Sequence, residues 1–109
     1  MTATHFVVLA TDRPESLALR ERLRPAHRQW LRNHPGHEVS VIHAGPTLDA
    51  RGQMNGTFLI VQASRADDVT RFLDADPYSQ GSLFAEVVIR PWQWTLGRLA
   101  QESQGLNSV

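Results

Sequence analysis

An α+β fold in the order β-α-β-β-α-β is the architecture this sequence predicts, and three observations predict it. Four short runs rich in β-forming apolar residues are spread along the chain. Two segments of helical periodicity separate them, one after the first run and one after the third. Clusters of proline, glycine and polar turn residues mark the junctions.

Each element has its own grounds. Phe6 to Ala10 is a short apolar run and forms the first strand. Asp12, Pro14 and Glu15 then suit the N-cap and first turn of a helix. That helix runs to about Asn33, where His34-Pro35-Gly36-His37 breaks it. Leu19, Leu23, Ala26 and Trp30 draw one apolar stripe along it. Pro25 lies within the stripe and predicts a kink or a split. Val39 to Ala44 is the second strand, closed by Gly45-Pro46, and Thr47 to Gln53 reads as a hairpin connection. The third strand spans about Met54 to Ala63. Ser64 to Asp67 signals a second helix over roughly 66–75, which Asp76-Pro77 ends because a residue before proline resists helical geometry. Tyr78 to Gly81 is a turn, and Phe84 to Trp94 is the last strand. Residues 1–95 thus make one domain and residues 96–109 a polar tail with a weak helical start. The order of elements is the ferredoxin-like one, with a four-stranded antiparallel sheet.

Two helices cover only one face of such a sheet. The first, third and last strands nonetheless carry apolar side chains on both faces: Phe6 and Val8 against Val7 and Leu9, Leu59 and Val61 against Phe58 and Ile60, Val87 and Ile89 against Val88. An apolar face of that size calls for cover. A second copy related by a two-fold axis is the simplest cover, so a homodimer through the sheets is expected.

Composition bounds the function classes. The chain has 109 residues, 41% apolar and 20% charged, with zero formal net charge. All eleven basic residues are arginine, but they are scattered and offset by eleven acids. Without a basic stripe or aromatic ladder, nucleic-acid binding is not expected. There is no cysteine, hence no disulfide, thiolate nucleophile or cysteine metal site. The apolar run near the N-terminus is too short for a signal segment or a membrane span, which points to the cytoplasm. No phosphate loop, dinucleotide fingerprint or nucleophile elbow occurs, so no cofactor is expected. His34 and His37 flank a Pro-Gly turn rather than sharing a helix face, and no metal site is expected.

Two residues stand out as candidates for chemistry. On a helical wheel His27 falls roughly 70° from the centre of the apolar stripe, on the side of Arg20 and Arg24. It sits at the border of core and solvent, suited either to proton transfer or to simple capping of the core. Asp76 ends the second helix, at the unfavourable end of its dipole, and calls for a partner. Imidazole and carboxylate together are the minimum equipment of an acid–base site. Arg24 could hold a carboxylate or phenolate, or pair with Glu21 or Asp76. Tyr78 could line a cleft or pack at the turn. Phe84, Trp92 and Trp94 could wall an aromatic ligand, or serve core and dimer contacts.

Arg20…Arg24-Pro25-Ala26-His27, Gly45-Pro46, Gly52…Gly56, Asp76-Pro77-Tyr78, Gly81-Ser82-Leu83-Phe84 and Val88-Ile89-Arg90-Pro91-Trp92 resemble, in order and spacing, the YCII-related (YciI-like) family. The resemblance covers about residues 5–94. It implies a dimeric α-β barrel of ferredoxin-like protomers, similar in fold to muconolactone isomerases and small antibiotic-synthesis monooxygenases. It also implies a cleft whose histidine and aspartate map onto His27 and Asp76. The family is linked to dehydrochlorination of a chlorinated hydroxyquinol. Thr57 stands where a serine is frequent and could keep a hydroxyl in the pocket. The expected activity is therefore that of a small cofactor-free lyase or isomerase acting on a cyclic or aromatic substrate. Its rival is a non-enzymatic ligand-binding dimer, in which the pocket walls matter and the dyad does not.

Overall fold

Period-two alternation sets the strands of the sheet. The computed structural model describes residues 4–97. In β1 (Thr4–Asp12), Phe6, Val8 and Ala10 are buried while Leu9 faces the other way and is exposed. In β3 (Met54–Ala63), Thr57, Leu59, Val61 and Ala63 are buried and Phe58 is exposed. These two strands pair antiparallel at the centre. β2 (Ser40–Leu48) and β4 (Phe84–Trp92) form the edges, giving the order β2-β3-β1-β4 with every pairing antiparallel. This is the expected ferredoxin-like sheet. Both edge strands carry a proline, Pro46 in β2 and Pro91 in β4.

The helices α1 (Leu17–Arg32) and α2 (Ala66–Asp74) lie on the face of Phe6 and Val8. Val69, Phe72 and Leu73 of α2 close the core over Leu59 and Val61, with Trp30 and Leu31 of α1 packed against its side. Among the described residues, no helix covers the opposite face. Leu9, Phe58 and Val88 are 46%, 39% and 38% exposed on it.

Several local expectations change. Asp12 is not a helix cap: it ends β1, and its carboxylate is taken by Arg20, so α1 starts later with Ser16 at its N-cap and no side-chain cap bond. Pro25 does not split α1, which is one continuous helix. The carbonyl left without its partner belongs to Glu21, an exposed residue, so water can satisfy it. Ala26 is exposed, and the buried residues of α1 are Arg20 and His27.

β2 runs through Gly45-Pro46 to Leu48, because a proline on an edge strand need not break the ladder. Tyr78 lies not in an open turn but in a third helix, α3 (Pro77–Gln80), with Asp76 as its N-cap. α3 docks closely on α1: a Cβ added at Gly81 would stand 2.5 Å from Leu23 Cδ1. β4 ends at Trp92, and the expected tail lies, from residue 98 on, outside the described residues. No described helix is long and apolar enough to cross a membrane.

Candidate functional site

The site grows out of the seven-residue spacing between Arg20 and His27. Two helical turns bring both onto one stripe of α1, turned toward α3 and the sheet. Asp76 meets His27 from the other side. Pro77 forces Asp76 into an extended conformation (φ −64°, ψ 135°), and its side chain turns back to accept the Tyr78 N–H at 2.9 Å. The same carboxylate accepts from His27: Nδ1–H stands 2.9 Å from both Oδ1 and Oδ2. Asp76 is 1% exposed and His27 5%. A carboxylate can only accept, so this contact places the imidazole proton on Nδ1. Among the described residues Nε2 has no protein partner, and it is not sealed in, since the only buried ring nitrogen left unpartnered there is His5 Nε2.

Tyr78 holds the imidazole flat. Its ring stacks on that of His27 with centroids 3.8 Å apart and planes 14° from parallel. The Arg20 guanidinium sits 4.5 Å from the Tyr78 ring centroid, while Nη1–H donates to Tyr78 Oη at 3.3 Å. Arg20 also donates to both Asp12 oxygens, at 2.6 and 2.9 Å, and to Thr57 Oγ1 at 2.7 Å. Arg20 is therefore the buried hub that ties β1, β3 and α3 to α1.

Burial raises the Tyr78 pKa above the ordinary 10.0, with Arg20 and Arg24 pulling it back in part. The fold thus favours the neutral phenol. Its contribution to stability is fully present below about pH 10 and is lost as pH rises through the folded-state pKa. Tyr78 is the only tyrosine. Near-ultraviolet phenolate absorbance in an alkaline titration should therefore come from Tyr78 alone. It is expected to emerge only above pH 10 in the folded protein, and at the ordinary value in urea.

His27, Tyr78, Thr57 and Arg24 all line a cavity of about 780 Å³ between α1 and β2. Arg24 is half-buried there and, among the described residues, pairs with neither Glu21 nor Asp76. Phe84 does not reach the cavity. It stands edge-on to Tyr78, centroids 5.8 Å apart, as a backing to the stack. Trp92 and Trp94 gather with His5 and do not line the cavity, although Trp94 stands beside His43. His34 and His37 pack around Trp30 and Phe72. Arg20 and Asp12 were not among the expected site residues. The signal for Arg20 was its spacing, two turns before His27.

The model of the YCII-related domain matches residues 4–93. The chain belongs to the YCII-related family. No curated protein sequence matches it. Among solved structures it is similar to 5-chloro-2-hydroxyhydroquinone dehydrochlorinase from Burkholderia phenoliruptrix AC1100 in complex with 2,5-dihydroxybenzoquinone. The two are 32% identical, with a TM-score of 0.70, over 85% of this chain and 95% of that one. Two candidate antibiotic biosynthesis monooxygenases share the fold alone. The one from Bacteroides thetaiotaomicron VPI-5482 is 15% identical, TM-score 0.56, over 90% of this chain and 94% of its own. The one from Bordetella bronchiseptica is 14% identical, TM-score 0.52, over 88% and 100%.

Proposed function

We propose that this protein is a small lyase or isomerase that moves a proton on a cyclic or aromatic substrate, with His27 as the base and Asp76 as its orienting partner. The observation that carries the reading is the Nδ1–Asp76 contact, which leaves Nε2 as the free lone pair beside the cavity. Nε2 takes a proton from a ring carbon or hydroxyl of the substrate. The released electron pair either expels an anionic leaving group, so that H⁺ and the anion are lost together, or shifts a double bond, with the proton returned at another carbon. Arg24 binds an anionic oxygen group of the substrate through its forked donors. Thr57 and Tyr78 accept from Arg20 and keep their own hydroxyl hydrogens for a substrate oxygen. General base catalysis of this kind supplies about 10²–10⁴-fold.

The dehydrochlorinase neighbour supports the substrate class. The direct test is chloride release from 5-chloro-2-hydroxyhydroquinone, run beside double-bond migration in a five-membered unsaturated lactone. Turnover of either is the expected result. Binding of 2,5-dihydroxybenzoquinone without turnover of any such compound would instead make the protein a ligand-binding domain.

The same reading includes a homodimer in cytoplasmic solution, closed through the bare sheet face. Leu9, Phe58 and Val88 would be buried there against a second copy. Light scattering should give twice the 12.2 kDa chain mass. Phe58→Asp, which places a charge at the middle of that face, should give a monomer; a monomeric wild type would end the dimer reading.

A further inference from the structure

The cavity wall contributed by α1 is a ladder of like charge. Arg20, Arg24, Arg28 and Arg32 all line the cavity, four residues apart, and among the described residues no aspartate or glutamate lines it. Each step of four advances about 6 Å along the helix and turns about 40° around it. The ladder therefore climbs from the core to the mouth: Arg20 is buried, Arg24 half-buried, Arg28 and Arg32 exposed. Arg20 is already committed to Asp12. The other three have no carboxylate within ion-pair distance among the described residues. Neighbouring like charges at this spacing oppose the helix. The chain as a whole has zero formal net charge, so these arginines are a local concentration of positive charge.

We propose that the cavity selects ring compounds carrying a fixed oxyanion, a carboxylate, sulfonate or phosphate, separate from the reacting centre. Arg24 holds that group, and Arg28 and Arg32 draw it in at the mouth. The inference rests on the cavity being the substrate site of the preceding section. Guanidinium forks match such oxyanions and gain strength where water is partly excluded, as it is at Arg24. At the mouth, exposed charges act mainly on the rate of capture and are screened by salt. A neutral ring compound uses none of this.

Calorimetric titration with four probes tests the proposal: benzoate, benzenesulfonate, phenyl phosphate and benzyl alcohol. At least one oxyanion is expected to bind about tenfold or more tighter than benzyl alcohol. The rank among the three says which oxyanion the ladder favours. Arg24→Gln should erase the preference. The variant Arg28→Gln/Arg32→Gln, at two exposed positions, should slow association at low salt and flatten its salt dependence, as read by stopped-flow mixing. Equal binding of benzyl alcohol and all three anions, or a preference untouched by all of these substitutions, would overturn the inference. His27→Gln separates the two readings. It should leave anion binding in place, so the anion preference stands or falls independently of whether His27 moves a proton.

Discussion

Asp76→Asn is expected to lower kcat/KM by about 10²–10⁴, as much as His27→Gln, although it changes a single atom in shape. The reason lies in the second donor on Asp76. Oδ1 accepts the Tyr78 N–H at 2.9 Å as well as contacting His27. In the asparagine variant the amide oxygen keeps that position, since only an acceptor can meet an N–H. The amide nitrogen then takes the place of Oδ2 and donates to Nδ1. The imidazole must respond by carrying its proton on Nε2, which removes the lone pair from the cavity. Long-range ¹H–¹⁵N spectra of His27 should report the exchanged tautomer directly. The double variant should be little worse than either single one, because the pair acts as a unit. Full activity in Asp76→Asn, or an unchanged tautomer, would refute this account of the dyad.

Arg20→Met is expected to cost about 3–5 kcal/mol of folding stability, a large share of what a domain of this size has. The loss comes from what is left behind. Asp12 retains a carboxylate with 5% side-chain exposure and no cation. Thr57 and Tyr78 lose a donor, and the Tyr78 ring loses the guanidinium beside it. The paired variant Arg20→Met/Asp12→Leu removes both charges and should recover most of the loss in urea unfolding. Equal destabilisation of the single and paired variants would mean that packing, not the uncompensated charge, sets the cost.

The contrast between these two predictions follows what could be read from the residues. His27 and Asp76 were legible because each sits in a marked context, one on the border of a helical stripe and one before a proline. Their meeting follows from topology, since α1 and the segment after α2 lie on the same face of the sheet. The burial of Arg20 was not legible, because an arginine defaults to the surface unless a partner is in hand. Its partner was hidden in turn. Asp12 followed by Pro14 and Glu15 reads as a helix start, and a carboxylate serves as a cap or an ion-pair member equally well. The apolar stripe misled in the same way. Ala26 is too small to define a core direction, and the buried face of α1 is centred on two polar residues that only tertiary partners make affordable. The β2 boundary failed because Gly45-Pro46 reads as a stop. At a sheet edge it is compatible with a strand.

Pro46 and Pro91 also bear on how copies of this chain can meet. A strand adds to a sheet by finding a row of unpaired N–H and C=O groups, and each outer strand here lacks an N–H within its span. β2 is further interrupted by register shifts at Val41/His43 and Thr47/Leu48. Neither rim offers a regular template for lateral growth. The homodimer proposed above would use the bare sheet face instead, where a single second copy would cover it. The geometry thus favours a closed, countable assembly over an open-ended fibre.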